Sequence, residues 1–292
     1  MPSENARCPP RIPHRKGVPL RKGSVRNLWP RPRRRWGQHF LADPNLIRKV
    51  VATIDPGPED TFLEIGPGHG ELTLPLAARA GLVVAVEVDP RLVEQLRQVA
   101  PSNVTIIQDD ILEVDLDALL PAGSRVYGSL PYNITSPILF RLLEHRRRWR
   151  DAHFIVQKEF AERMTASPGG KVYGRLSVMV QAFAAGRRCF NLPAAVFRPR
   201  PKVDSVLIHI RPEEAHGTIV DGELFARVVR LAFGQRRKQL ANALKTLPVQ
   251  DILQDMGVAD LRAEQVPVSD YIYLANRLAD EGRRGGDPVR WD

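Results

Sequence analysis

Apolar residues across positions 43–212 switch repeatedly between two spacings. "DPNLIRKVVATI" sets them at helical intervals behind Asp43, a residue suited to capping, whereas "TFLEIG" is a short apolar run of the kind found in buried strands. The exchange continues with "GELTLPLAARA" as helix, "LVVAVEV" as strand, "PRLVEQLRQVA" as helix and "VTIIQDD" and "RVYGSL" as strands. "SPILFRLLEH" then reads as helix, "AHFIVQK" as strand, "EFAERMTA" and "GRLSVMVQAFA" as helices, and "SVLIHIRP" as a closing strand. This alternation predicts an α/β fold over residues 36–212, with a largely parallel sheet covered by helices on both faces. Beyond Pro212 the strand signal ends. "ELFARVVRLAFGQRRKQLANALKTL", "VQDILQDMG" and "SDYIYLANRLADE" predict a small all-helical domain over residues 213–282. The polar, Gly-rich residues 283–292 are expected to fray.

Charge adds a further region. Residues 1–35 hold eleven Lys and Arg against Glu4 alone, so they carry the whole net charge of +10, and the rest of the chain balances. With seven prolines and no apolar period, this stretch reads as a basic disordered tail that meets a polyanion, RNA being the preferred partner. A solvated extension, a mis-assigned start and an Arg-rich organellar leader are the alternatives. Scarce Ser and helix-breaking prolines oppose the last of these. Cys8 and Cys189 fit neither a disulfide framework nor a metal-ligand spacing, so a reducing cytoplasm and no metal are expected. No apolar run approaches the roughly 20 residues of a membrane span, and the N-terminus lacks the apolar core of a signal peptide. The expectation is a cytoplasmic monomer that does not engage membranes.

Three strand ends carry candidate ligand contacts. "FLEIGPGHGELT" brings Glu64, Gly66, Gly68 and Gly70 to a strand-to-helix turn, where the chain bends sharply and a ligand must approach the backbone. The next strand ends at Glu87, whose carboxylate can accept hydrogen bonds from both hydroxyls of a ribose. "VTIIQDDIL" ends in Asp109 and Asp110, where a carboxylate can bond an adenine amino group. Capping of helices near Pro90 and Leu112 would also account for Glu87 and Asp110. A dinucleotide site needs G-x-G-x-x-G; here the spacing is G-x-G-x-G, with nothing resembling a pyrophosphate site. S-adenosylmethionine, which has no phosphate, fits better.

The fourth strand ends in Ser129-Leu130-Pro131-Tyr132, beside the same cleft. The lone pair of an exocyclic amine is delocalised into the base. A side-chain oxygen and a backbone carbonyl that accept its two N–H bonds draw the nitrogen toward tetrahedral geometry and aim the lone pair at a methyl donor. Pro131 stiffens the turn, and the Tyr132 ring can stack on an extruded base. No general base is required. A turn holding a buried Tyr is the plainer alternative.

These stretches together resemble the small-subunit (16S) rRNA adenine N6,N6-dimethyltransferase (KsgA/RsmA) family. The matching motifs are "GQHFL", "EIGPGHGELT", "VEVD", "LPYNITSPIL", "VQKEFAERM", "YGRLSV", "FRPRPKVDS" and "FGQRRKQLANAL". The resemblance implies a Rossmann-like methyltransferase sheet with a helical C-terminal domain. It further implies cofactor contacts from His39, Leu41, Gly66, Gly68, Glu87, Asp110 and Ser129, a reaction motif of Ser129, Leu130, Pro131 and Tyr132, and Phe197 flanking the target base opposite Tyr132. The substrate would be 16S rRNA in an immature small subunit. The family usually has Asn where this chain has Ser129, a shorter arm expected to weaken one hydrogen bond. The macrolide-resistance 23S rRNA methyltransferases are the rival enzymes, and a non-catalytic RNA-binding assembly factor is the rival outside catalysis. "HRRRWR" (145–150), "GRR" (186–188) and "QRRK" (235–238) are the candidate phosphate contacts, with Arg236 and Arg237 on a predicted helix foremost.

Overall fold

The computed structural model describes residues 38–284, so the basic tail of residues 1–35 and residues 285–292 lie outside it. The described chain opens with a two-residue strand, β1 (Phe40–Leu41), and helix α1 (Pro44–Ile54). Asp43 caps α1 by accepting hydrogen bonds from the amides of Asn45 and Leu46 at 2.8 and 3.1 Å. Strands β2 (Thr61–Ile65), β3 (Leu82–Glu87), β4 (Val104–Gln108), β5 (Ser124–Ser129) and β6 (Trp149–Gln157) then run parallel. They alternate with helices α2 (Thr73–Ala77), α3 (Pro90–Val99), α4 (Leu116–Leu119) and α5 (Thr135–Glu144). Helices α6 (Lys158–Met164) and α7 (Arg175–Gln181) lead to β7 (Ala184–Leu192), the two-residue β8 (Phe197–Arg198) and β9 (Ser205–Pro212).

The sheet order is β4-β3-β2-β5-β6-β9-β7, with β9 antiparallel to both its neighbours. Its central strands are buried on both faces, which is why their sequences run apolar without alternation. The order reverses between β2 and β5, where an open α/β sheet binds its ligand. Separately, β8 pairs with β1 and holds the segment before α1 over that reversal.

Four sequence readings need correction. Residues 184–192 were expected to end a helix and continue as a basic cluster, yet they form the edge strand β7, whose outward residues Ala185, Arg187, Arg188 and Asn191 hide the pattern. The long helix expected across 223–247 is broken: α8 (Gly222–Gly234) ends, and α9 (Leu240–Ala243) starts after a turn. The amides of Leu240 and Ala241 are instead taken by the carbonyls of Leu261 and Ala259, at 2.7 and 3.1 Å. α10 (Gln250–Asp255) and α11 (Val268–Arg284) complete the helical region, and α11 continues through positions expected to fray. The core of this region recruits Tyr173, Val178 and Ala182 from upstream of the expected boundary at 213.

Candidate active site

A cavity of about 310 Å³ lies at the C-terminal ends of β2 to β5, within the size range of small-ligand pockets. Two glycines fix its shape. At Gly128 a Cβ would lie 2.4 Å from the Ile65 carbonyl oxygen, so only glycine lets β5 lie this close to β2 and deliver Ser129 beside the Gly66 turn. Gly68 has φ +60°, and a Cβ there would meet the Phe40 ring at 2.9 Å. The Phe40 ring packs on His69 with centroids 4.0 Å apart, closing the β1 segment over the turn.

The cavity brings together His39, Leu41, Gly66, Gly68, Glu87, Asp110, Ser129, Leu130, Pro131 and Tyr132. Its lining also includes Gln38, Phe40, Glu64, Glu71, Asp109 and Asn133, of which Glu71 carried no signal in the sequence beyond its place next to the glycines. Glu87 is 6% exposed; it accepts hydrogen bonds from the amides of Gly68 and Asp89 at 3.2 and 2.9 Å. The cap of α3 is Asp89, so helix capping does not account for Glu87. Asp110 does accept from the Leu112 amide at 2.9 Å through Oδ1, but α4 is capped by Asp115.

Charge is lopsided in this cavity. Glu64, Glu71, Glu87, Asp109 and Asp110 line it, and among the described residues no Lys or Arg does. Burial pushes the carboxyl of Glu64 up to about 8 against a 2.7 Å hydrogen bond from Tyr127, and that of Glu71 up to about 7. Burial also raises the Glu87 carboxyl and pushes the His69 imidazole down to about 4. A phosphate-bearing dinucleotide would meet five acidic side chains and, among the described residues, no Lys or Arg to pair with it. S-adenosylmethionine fits: it has hydroxyls for Glu87, an adenine edge for Asp110, and a positive sulfonium.

In the reaction motif, Tyr132 is held from two sides. Its hydroxyl shares a 2.7 Å hydrogen bond with the Ser205 hydroxyl, and its ring stacks on His39 with centroids 5.6 Å apart. His39 in turn donates from Nδ1 to the Pro199 carbonyl at 2.7 Å. The Pro131 carbonyl already accepts from the Ile134 amide at 3.1 Å and the Thr135 hydroxyl at 2.9 Å, so both its lone pairs are used. Among the described residues no donor meets the Leu130 carbonyl. It is the backbone acceptor left beside Ser129.

Phe197 does not join the cavity. It is 1% exposed and packs in the core with Leu41, its partner across β1 and β8, so it cannot flank a base in this conformation. The basic clusters are also redirected. In "HRRRWR", His145 and Arg148 pair with Asp117, Arg146 with Glu214 and Arg150 with Asp60, all near the start of β6 and away from the cavity. Arg236 lies in the turn after α8, donating to the carbonyls of Lys171 and Tyr173 at 2.6 and 3.1 Å, which makes it a tether rather than a phosphate contact. Arg187 donates to His209 Nδ1 at 3.2 Å.

One metal-like group exists among the described residues: Asp151, His153 and His209. Arg125 occupies both oxygens of Asp151, at 2.8 and 3.0 Å, and Arg187 occupies His209 Nδ1, which leaves the proton of a neutral ring on the nitrogen facing Asp151. Two guanidiniums and that tautomer disfavour a cation.

The comparisons with known proteins agree with this geometry. The family described as ribosomal RNA adenine dimethylase matches residues 30–280. A protein of Xanthomonas campestris pv. campestris named ribosomal RNA small subunit methyltransferase A is 46% identical over 245 residues, 82% of this chain and 94% of its own. Its namesake in Aromatoleum aromaticum is 44% identical over 257 residues, 87% of this chain and 97% of its own. Among solved structures, a dimethyladenosine transferase from Plasmodium falciparum is 25% identical with TM-score 0.73, covering 83% of this chain and 98% of its own. The 23S rRNA methyltransferase ErmE is 28% identical with TM-score 0.63, covering 82% of this chain and 99% of its own. With family, fold and cavity in agreement, the chain belongs to the ribosomal RNA adenine dimethylases, Rossmann-like enzymes that methylate adenine with S-adenosylmethionine.

Proposed function

We propose that this enzyme dimethylates the N6 amino groups of two adjacent adenosines near the 3′ end of 16S rRNA, acting on the immature small subunit in the cytoplasm as a monomer. The observation that carries this reading is Ser129-Leu130-Pro131-Tyr132 at the end of β5, in the wall of an acidic cavity that no Lys or Arg among the described residues lines. The bound cofactor supplies an electrophilic methyl on a sulfonium. Glu87 would hold its ribose and Asp110 its adenine, with the Gly66 and Gly68 turn beneath it. Ser129 Oγ and the Leu130 carbonyl would accept the two N–H bonds of the target amine and turn its lone pair toward that methyl. Tyr132, clamped by Ser205 and His39, offers a ring face to the extruded base. After transfer the cationic amine loses its proton to water, so no side-chain base is needed.

Arg237 and Lys238 are exposed in the turn after α8, and with the basic residues 1–35 they are the proposed phosphate contacts. Deleting residues 1–35 should flatten the dependence of RNA affinity on salt without changing which adenosine is modified. The likeness to ErmE keeps a large-subunit substrate as the second reading. Incubation with labelled cofactor and each unmodified ribosomal subunit, followed by nucleoside analysis, separates the two. Dimethyladenosine in 16S rRNA is expected, and label confined to 23S rRNA would overturn the proposal.

A further inference from the structure

Of the five acidic side chains facing the cavity, Glu87 and Asp110 have ligand contacts to make and Asp109 accepts from the Asp110 amide at 2.8 Å, whereas Glu64 and Glu71 have no ligand contact assigned. Glu64, next to last in β2, is fully buried beneath the glycine turn, with the Tyr127 hydroxyl on its Oε2. Glu71 precedes α2 and folds back under the same turn, its Oε2 3.7 Å from where a Cβ on Gly68 would stand. Burial holds these carboxyls at about 8 and about 7, so both retain protons to a large extent at neutral pH while no Lys or Arg among the described residues lines the cavity. The other titratable groups here are Glu87 and Asp89 from β3 and its following turn, His69 from the glycine turn, Tyr127 from β5, Tyr132 after it, Asp109 and Asp110 after β4, and His39 before β1. Asp89 is spent on Arg91, at 2.6 Å. Among the described residues no Lys or Arg lines the cavity with Glu71, and the His39 ring is engaged by Tyr132 and the Pro199 carbonyl.

We propose that Glu71, together with Glu64, makes the cavity selective for the charge of the cofactor, giving up a proton when the sulfonium form enters and taking one back after the methyl has left. This rests on the S-adenosylmethionine reading of the cavity. In the reaction the C–S bond breaks with its electron pair left on sulfur, a C–N bond forms from the amine lone pair, and the positive charge departs from nitrogen as a proton. The spent cofactor is therefore a neutral thioether with one positive charge fewer than the cofactor that entered. A buried carboxylate facing a sulfonium is paired; facing a thioether it is an uncompensated charge, which reprotonation relieves. Each dimethylated adenosine consumes two cofactors, so discharge of the spent one recurs on every substrate.

The test is titration calorimetry of the full chain with S-adenosylmethionine and with S-adenosylhomocysteine, at pH 7 in buffers of differing ionisation enthalpy and across pH 6–8.5. Net proton release is expected with the sulfonium ligand alone, and the ratio of the two affinities should rise with pH. Glu71→Gln should reduce that ratio by about tenfold at pH 8, equivalent to one unit of coupling, and Glu71→Asp should restore proton release. Equal proton release with both ligands, or an unchanged ratio in Glu71→Gln, would overturn the proposal. Failure of the parent to bind either ligand would overturn the cofactor reading itself, and the proposal with it.

Discussion

At the N-terminal ends of β5 and β6, Arg125 donates to Asp60 at 2.8 Å, to both oxygens of Asp151, and to the carbonyls of Ile54 and Asp55 at 2.7 and 3.0 Å. At the C-terminal ends of β2 and β3, Glu64 and Glu87 are buried as deeply, yet among the described residues no Lys or Arg lines the cavity they share. Burial opposes ionisation at both ends. At the first, His209 and the Arg125 guanidinium overcome it and hold the Asp151 carboxyl well below the usual range; at the second, nothing does, and the carboxyls of Glu64 and Glu71 rise. A charge satisfied within the chain locks α1 to the sheet. A carboxyl without a cationic partner waits for a ligand.

The largest expected effect lies at the paired end. Arg125→Ala would strand two buried carboxylates and two carbonyls, and should cost about 3–5 kcal/mol in denaturant unfolding. Cofactor affinity of the remaining folded protein should be unchanged; a parallel loss of affinity would show that the two ends are not separable.

Glu87→Ala should do the opposite. It removes a carboxylate that hydrogen-bonds a ligand, a contact of about 1.5–3 kcal/mol, or roughly ten- to hundredfold in cofactor affinity. Relief of a buried charge offsets the loss of the acceptor for the Gly68 and Asp89 amides, so unfolding free energy should change by less than about 2 kcal/mol. Calorimetry and denaturation of the same preparation would decide, and a destabilised variant with intact affinity would assign Glu87 to the fold.

The smallest effect is in pH. The unfolded chain releases glutamate protons near 4.5, whereas folded Glu64 and Glu71 keep theirs up to about 8 and about 7. The folded state therefore binds more protons through this window, and these groups make stability fall as pH rises. His153 acts in reverse: burial lowers it to about 4 from 6.5, so the unfolded state binds more protons between those values, and stability falls as pH drops. The two contributions oppose each other below 6.5, and the carboxyls act alone above it. Tm of the cofactor-free protein should decline from pH 6.5 to 8, and the double variant Glu64→Gln, Glu71→Gln should flatten that decline. An unchanged slope would place the unpaired charge elsewhere.

The parallel strands were legible because burial on both faces leaves an apolar run and little else, and the glycine turn because a ligand and a close strand pair both exclude side chains there. Edge strand β7 was hidden by outward Arg187, Arg188 and Asn191, which read as a solvated cluster. Arg236 read as a phosphate contact because its true partners, the carbonyls of Lys171 and Tyr173, are more than 60 residues away. Phe197 followed from resemblance alone, and local sequence does not tell a buried ring from a lining one. The acidity of the cavity was visible only in part, since Glu71 joins Glu64 and Glu87 by folding rather than by spacing.

The central claim, that polar groups left unpaired at the strand ends carry out the chemistry, is tested most directly at Ser129. The measurement is single-turnover methyl transfer with saturating rRNA and cofactor for the parent, Ser129→Ala and Ser129→Asn. Loss of the hydroxyl should slow transfer about ten- to hundredfold, corresponding to about 1–3 kcal/mol at the transition state. Cofactor and RNA affinities should be unchanged, and Ser129→Asn should match or exceed the parent. Transfer by Ser129→Ala as fast as by the parent would contradict the account.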